Sequence, residues 1–263
     1  MFIKFKNLKK TFAYSVSILV LLILCSCSKQ EDPKTIENLN FDELKKRTLS
    51  SLENKKNDQA IAFLEKIVAE HPDKENIYEY KLMLADCYFD TGNLPSSYEL
   101  YKHYYEFYPS DSKAEYATYR SILSKFYQTL QPDCDQSDTL QSINLCKNYL
   151  ENTQFGQYQN DIKDIQHTCE RKLIDKEVYV YNFYLKKGNY KAAKNRLTHL
   201  KKNYLDKNPS LDARLLFLES KLAQKEKDKT ILNEKIEKLL DKYPNSHFTK
   251  MAQRLVNKTT FVF

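Results

Sequence analysis

Histidine, cysteine and acidic side chains are the groups most able to bind metals or act in catalysis, and their spacing in this sequence forms no known site. No two of the five histidines stand four residues apart, and the six cysteines contain no CxxC pair, so zinc is not predicted. The three isolated glycines cannot build a phosphate-binding loop, and no nucleophile motif is present. The sequence therefore predicts no catalytic residue, no metal and no cofactor, which is typical of a protein that is not an enzyme.

Four cysteines lie beyond the N-terminal region. Cys87 and Cys169 fall on apolar faces of predicted helices, where a free cysteine behaves as a small hydrophobic residue. Cys134 and Cys146 flank a predicted turn and are the one pair considered for a disulfide, because an even number of cysteines in an oxidising compartment favours pairing. The alternative, four free thiols, stays open.

The first forty residues have the organisation of an export signal followed by a tether. Residues 1–10 are basic, and residues 11–24 form an apolar run too short for a stable membrane span. The sequence Leu24-Cys25-Ser26-Cys27 resembles the lipobox of bacterial lipoproteins. This resemblance implies a signal peptide at residues 1–26, lipid attachment at Cys27, and a lipidated flexible tether at residues 27–40. The alternative is an ordinary signal peptide.

The residue after the lipid-bearing cysteine is Ser28. In lipoproteins, an aspartate at this position favours retention in the inner membrane. The serine therefore implies, by resemblance, a lipid-anchored protein of the outer membrane of a Gram-negative bacterium, on the periplasmic face.

Composition favours a helical protein with a sizeable core. Apolar residues make up 41% of the chain, whereas there are only 3 glycines and 7 prolines, too few turn-formers for a sheet-rich fold. The formal charge of +7 falls to about +3 once the four lysines of the signal peptide are removed, which is too small to favour nucleic acid. The predicted fold class is all-α.

A stretch from Leu84 to Pro109 shows how the helices are arranged. It reads as helix, tight turn at Gly92, helix and proline, the pattern of a tetratricopeptide repeat. The small residues Ala85 and Ser97 let the two helices approach closely, and Pro109 ends the second helix. Because one such pair cannot bury its apolar face alone, neighbouring pairs must stack on it.

The same spacing predicts an α-solenoid of about five helix-turn-helix repeats over residues 41–257. The turn of the first repeat lacks glycine, and the proline of the fourth, Pro209, comes later than the repeat predicts. The predicted segments are repeats at about 41–72, 76–109, 112–156, 157–209 and 210–244, a C-terminal capping helix at 246–257 with Ser246 as its N-cap, and a tail at 258–263.

Three segments inside the repeats resemble the BamD/ComL family, the tetratricopeptide lipoproteins of the outer-membrane β-barrel assembly (BAM) machinery. The first is the turn Gly92-Asn93-Leu94-Pro95, and the second is the Tyr116-x-x-Tyr119 helix followed by an insertion. The third is a long helix with Glu177, Val180 and Phe183-Tyr184, followed by Gly188-Asn189-Tyr190-x-Ala192-Ala193-x-Asn195-Arg196. The resemblance covers about residues 40–255.

The resemblance implies a non-catalytic scaffold with two binding sites. Asn195 and Arg196 match the contact with the barrel-inserting (BamA-like) subunit, where the arginine would pair with an acidic residue. The alternative is an exposed helix arginine. The N-terminal repeats would bind the C-terminal strand of unfolded barrel proteins, with tyrosines lining the groove, although each ring could instead pack helix on helix. The groove candidates are Tyr78, Tyr80, Tyr98, Tyr116 and Tyr119.

The expected partners are the barrel-inserting subunit, other BAM lipoproteins, unfolded outer-membrane proteins and, through the lipid, the membrane. A second hypothesis is a different tetratricopeptide lipoprotein that serves pilus secretin assembly or coordinates cell-wall growth and division. A third, a cell-wall hydrolase, has no support beyond the expected location.

Overall fold

The computed structural model describes Ile36 and the backbone of residues 38–259, with side chains to residue 256. The predicted signal peptide, Cys27, most of the tether and the end of the tail lie outside these residues. The described part contains eleven α-helices and one π-helical turn, and no strand. The helices are α1 (Phe41–Glu53), α2 (Asn57–Glu70), α3 (Ile77–Asp90), α4 (Leu94–Phe107), α5 (Ala114–Tyr127), α6 (Ser137–Glu151), α7 (Gln159–Lys186), α8 (Tyr190–Leu200), the π turn (Lys201–Leu205), α9 (Leu211–Glu226), α10 (Lys229–Lys242) and α11 (His247–Thr259).

The all-α, tetratricopeptide-like prediction is confirmed. The chain forms two compact units, one ending at Tyr104 and the other beginning at Tyr105. None of the described helices combines the length and the apolar character that crossing a bilayer requires.

The first unit contains α1 to α3 and most of α4, packed as antiparallel pairs. Asn40 caps α1 by accepting a hydrogen bond from the Glu43 backbone N–H at 2.9 Å. The turn between α1 and α2 has no glycine, and Lys55 adopts the positive φ of 54° that closes it. Between α3 and α4, Gly92 performs this role at φ 82°.

The core of the first unit forms where small residues allow close helix approach. Ala60 and Ala85 are fully buried, and Ser97 is buried on α4 as predicted for a small repeat position. The Tyr101 hydroxyl, on α4, donates a hydrogen bond to Asp86 on α3 at 2.5 Å, which fixes this pair through a side chain as well as by packing.

The second unit is organised around α7, whose 28 residues are twice the 14 of α5. The first half of α7 shares a core with α5 and α6, through residues such as Ile122, Tyr149 and Cys169. The second half belongs to another core with α8 to α11. There the Tyr181 hydroxyl donates to the Leu218 carbonyl oxygen of α9 at 2.6 Å.

Two local features explain departures from the regular repeat. The π turn after α8 is more widely wound than an α-helix, which accounts for part of the late position of Pro209. At the C-terminal end, the Ser246 hydroxyl accepts from the Phe248 N–H at 3.2 Å, and Phe248 packs against Phe217 of α9 with ring centroids 5.9 Å apart. The last helix therefore covers the final helix pair, as the capping helix was expected to do.

Candidate partner-binding site

Helix α8 carries the two residues predicted to bind a partner. Gly188 takes a φ of 74° in the turn before it, and the Asn189 side chain caps it by accepting from the Ala192 N–H at 3.1 Å. Ala193 and Leu197 are buried on the core side of the helix. Asn195 therefore lies on the opposite side and is exposed, whereas Arg196, three residues after Ala193, lies at the edge of the core side with its side chain 39% exposed.

Glu177 of α7 is an unexpected internal partner of this arginine. Its Oε2 lies 3.4 Å from Arg196 Nη1 and 3.6 Å from His199 Nδ1, and its side chain is only 16% exposed. The arginine predicted to pair with an acid on another protein thus already contacts an acid of its own chain. Because a guanidinium has five N–H donors, one long contact leaves donors that an incoming carboxylate can use.

Tyr204, in the π turn, lies next to this group. Its ring is 6.1 Å from the His199 ring, in an edge-on arrangement. Burial raises the pKa of the Tyr204 hydroxyl, and the negative charges of Glu177 and Glu170 raise it further. The Tyr204 hydroxyl therefore stays protonated and can donate a hydrogen bond. Tyr204 also lies in a π-helical segment, and such segments often occur at functional sites.

A surface groove extends from Glu177 toward the third repeat. We call it the Glu177 groove; it is a hollow of about 300 Å³ that continues into a neighbouring hollow of about 160 Å³ through Leu140, Leu173 and Tyr204. Leu140 is 53% exposed, so the groove offers apolar surface beside the charged group. The larger hollow is lined by Cys134, Asp135, Gln136, Leu140, Leu173, Lys176, Glu177 and Tyr204.

The segment inserted between α5 and α6 forms one rim of this groove. Lys176 Nζ donates to the Cys134 carbonyl oxygen at 3.1 Å, and Gln136 Nε2 donates to the Gln131 carbonyl oxygen at 2.8 Å. These bonds hold an irregular loop against α7.

The structure does not form the disulfide considered from the sequence. Cys134 is an exposed free thiol, whereas Cys146 is a free thiol buried on the core side of α6, in the same cluster as Cys169. The two residues flank the turn in sequence, but only one of them turns inward. Burial raises the pKa of the Cys146 thiol to about 12, so it packs as a neutral hydrophobic group.

The three candidate tyrosines of the first unit are mainly packing residues. Tyr98 is only 4% exposed, which removes it from any open groove in this structure. Tyr80 is half-buried and packs edge-on against Phe41 with centroids 5.8 Å apart, and Tyr78 lies 6.0 Å from Tyr104. Tyr78 and Tyr80 each keep part of a ring accessible.

Tyr116 and Tyr119 lie on α5 in the second unit, and both are half-buried. The Tyr119 ring stacks on Tyr158 at 4.1 Å with parallel planes, and the Arg120 guanidinium lies 5.8 Å from the Tyr116 ring. Burial, followed by the charge of Asp161, raises the pKa of Tyr119. Tyr119 therefore has a structural partner.

Sequence reasoning missed the roles of Glu177, His199 and Tyr204. A signal for Glu177 was present, because α7 and α8 form an antiparallel pair about Gly188, and residues at similar distances on either side of a turn face each other. Tyr204 carried no such signal because it lies in the π turn, where the regular spacing of an α-helix does not give the direction of a side chain. Among the residues that the structure describes, no group of three or more His, Cys, Asp or Glu side chains is arranged to hold a metal ion.

Comparison with known proteins identifies the family. The family model described as "YfiO: Outer membrane lipoprotein" matches residues 39–230, most of the chain. The chain belongs to this outer membrane lipoprotein family. The match confirms the BamD/ComL resemblance seen in the sequence, and it assigns the protein to the outer membrane.

One named relative agrees with the family. The chain is 26% identical over 250 residues to "Outer membrane protein assembly factor BamD" of Rickettsia prowazekii (strain Madrid E), covering 95% of this chain and 98% of that protein. Among solved structures, the TPR domain of P58(IPK) covers 84% of this chain and 66% of its own at 15% identity, with a TM-score of 0.41.

Proposed function

We propose that this protein is a non-enzymatic scaffold for the assembly and insertion of β-barrel proteins in the outer membrane, anchored by lipid on the periplasmic face. The observation that carries this proposal is the end-to-end similarity to a protein named as an outer membrane protein assembly factor. The helical-repeat architecture supports it, because stacked helix pairs present extended surfaces that suit protein binding.

The barrel-inserting subunit is the partner proposed for Arg196 and Asn195. Three features support this site: Asn195 is exposed, Arg196 is partly exposed with one long internal contact, and the Glu177 groove adjoins them. An acidic side chain of the partner would exchange with Glu177 at Arg196. Exchange is feasible because the internal contact is long, at 3.4 Å, and Glu177 keeps His199 as a neighbour at 3.6 Å when the arginine turns to the partner.

Unfolded barrel proteins are the ligands proposed for the N-terminal repeats. Tyr78 and Tyr80 are the candidates that support this role in the first unit, since both rings are half-buried whereas Tyr98 is buried. An amphipathic tyrosine can pack against an aromatic residue of an extended peptide while its hydroxyl stays hydrated. Crosslinking from Tyr78 to a barrel-protein C-terminal peptide tests this role.

Lipid attachment at Cys27 is part of the same proposal. It rests on the lipobox Leu24-Cys25-Ser26-Cys27, outside the residues that the structure describes. Mass spectrometry of the mature N-terminal peptide should detect an acylated cysteine, and Cys27→Ala should release the protein from the membrane fraction. A mature chain beginning elsewhere, without acyl groups, would contradict this part alone.

The decisive experiment is co-purification from detergent-solubilised outer membrane. The full-length protein should recover the barrel-inserting subunit and other BAM lipoproteins. Arg196→Glu should reduce recovery of the barrel-inserting subunit at least tenfold, because it places like charges together. Lys194→Glu, the same charge change on the same helix, is the matched control and should recover the wild-type amount.

Two outcomes would overturn the proposal. One is absence of the barrel-inserting subunit under conditions that preserve other envelope complexes. The other is a depletion phenotype of lost pili or defective division with normal levels of barrel proteins, which would favour the alternative scaffold role.

A further inference from the structure

The difference in length between α5 and α7 leaves one face of α7 uncovered. Along its first half, this face contacts α5 and the loop after it: Lys172 Nζ donates to the Thr129 carbonyl oxygen at 3.3 Å, and Lys176 Nζ donates to that of Cys134 at 3.1 Å. The α5 helix ends at Tyr127. Spacings of four, three and four residues place Tyr179 and Phe183 on the same helical face as Lys172 and Lys176.

The uncovered part of this face is apolar. Tyr179 and Phe183 are each 51% exposed, and Val180 and Tyr184 beside them are half-buried. Phe183 packs edge-on against Tyr184, with centroids 5.5 Å apart. Single exposed apolar residues are common on proteins, but two large rings one turn apart with an aliphatic neighbour form a continuous patch, which is typical of a binding surface.

Lysines surround the patch. Lys176 lies at one end and Lys186 and Lys187 at the other, with Lys187 Nζ 5.9 Å from the Phe183 ring centroid. Within the described part of the chain, none of these three lysines lies within ion-pair distance of an acid, although the charge of Lys176 acts on Asp135 of the inserted loop and helps to lower the pKa of that carboxyl.

The two acids of α7 next to Lys176 are already paired. Asp175 is paired with Arg214 of α9 at 2.6 Å, and Glu177 with Arg196. Positive charge therefore remains at both ends of an apolar strip, an arrangement complementary to an apolar segment flanked by acids.

We infer that Lys176, Tyr179, Val180, Phe183 and Lys187, the α7 strip, form a docking site for a protein segment in which apolar residues are flanked by acidic residues. The strip is about 16 Å long at the rise of an α-helix, so it accommodates about five extended residues. The strip meets the Glu177 groove at Lys176, which lines both, but its apolar residues are not among those that line the groove. The inference stands independently of the function proposed for Arg196.

Photocrosslinking from the full-length protein in the native envelope tests whether the strip is occupied. A photoreactive phenylalanine analogue at position 179 or 183 should crosslink to a protein segment that mass spectrometry identifies as apolar residues flanked by Asp or Glu. The same analogue at Leu240 of α10, a 42% exposed apolar residue, is the matched control. No product beyond this control, a lipid adduct, or a basic segment would each overturn the inference.

Binding of synthetic peptides to the purified full chain tests the chemistry. In fluorescence anisotropy, an eleven-residue peptide with Phe and Leu flanked by Glu should bind, and its Lys-flanked counterpart should bind at least tenfold more weakly. Tyr179→Ser/Phe183→Ser should weaken binding at least tenfold, whereas the exposed pair Ile231→Ser/Leu240→Ser should leave it unchanged. Equal binding of both peptides, or no loss in the strip variant with its thermal unfolding unchanged, would contradict the assignment.

Discussion

Two glutamates of the second unit illustrate opposite uses of a carboxylate. Glu115 of α5 accepts hydrogen bonds through Oε1 from the Tyr149 hydroxyl and, at 2.7 Å each, from the backbone N–H groups of Gly156 and Gln157. Glu177 of α7 instead contacts the side chains of Arg196 and His199, at 3.4 and 3.6 Å. The donors to Glu115 are fixed, whereas those of Glu177 can rotate away.

The difference separates a structural carboxylate from an exchangeable one. Glu115 accepts from backbone N–H groups of the turn that leads into α7, and the dipole of that helix favours a negative charge near its N-terminus. Tyr149 completes the arrangement by accepting from the Tyr158 N–H at 3.0 Å. Glu177 balances a charge on the surface of α8. We therefore expect Glu115 to affect stability and Glu177 to affect binding.

Glu115→Ala should have the largest effect. It leaves the buried Tyr149 hydroxyl and two backbone N–H groups without their acceptor, so we expect a loss of about 2–3 kcal/mol in the free energy of unfolding. Urea denaturation followed by circular dichroism measures it. Glu151→Ala, at an exposed position, is the control and should change stability by less than about 0.5 kcal/mol. Equal losses of stability in Glu115→Ala and Glu151→Ala would show that Glu115 has no special structural role.

The pH dependence of stability should show whether the negative charge on Glu115 stabilises the folded state. Burial alone would raise its pKa, but hydrogen bonds from Tyr149 and from the backbone N–H groups of Gln157 and Gly156 outweigh burial and hold the pKa below 4.5. Because the pKa is lower in the folded state, this stabilisation is complete above pH 4.5 and is lost as the pH falls through the folded value. The stability advantage of wild type over Glu115→Gln should shrink between pH 6 and pH 3. A constant difference would show that the charge contributes nothing.

The glycines in the turns on either side of α7 differ in backbone conformation. Gly188, between α7 and α8, has a φ of 74°, whereas Gly156, which donates to Glu115, is not among the positive-φ glycines. Neither position has an atom within 4 Å of an added Cβ, so only backbone strain distinguishes them. Gly188→Ala should cost about 1 kcal/mol, and Gly156→Ala should be neutral or slightly stabilising. Thermal unfolding of both variants measures the difference.

Much of the fold could be predicted because the repeat spacing encodes it locally. The spacing of Ala85, Gly92 and Ser97 predicts a close helix pair, and Gly188-Asn189 predicts the turn after a long helix. The turn at Lys55 was harder to predict because a lysine in positive φ leaves no compositional signal. The π turn was not predicted because its segment, Lys201–Leu205, contains no glycine or proline to mark it.

The candidate site was less predictable because it depends on contacts between helices. Arg196 was found by family resemblance, but its internal partner depends on which faces of α7 and α8 meet. The tyrosines show the same limit: Tyr98 and Tyr78 are the same residue type on neighbouring helices, yet only Tyr98 is buried. Cys146 turned inward while Cys134 did not, which composition alone does not reveal.

Glu177→Gln should have a small effect on stability and the most informative effect on binding. Removing one partly exposed ion pair should change the free energy of unfolding by less than about 1 kcal/mol. If Glu177 competes with an acidic partner for Arg196, its neutralisation should strengthen binding of the barrel-inserting subunit by up to about fivefold, the equivalent of 1 kcal/mol. Titration of the purified subunit against wild type, Glu177→Gln and Arg196→Ala measures this. Weaker binding by Glu177→Gln would instead mean that Glu177 positions the arginine. Glu177 would then act as Glu115 does at the turn before α7, and the contrast between a structural and an exchangeable carboxylate would not hold.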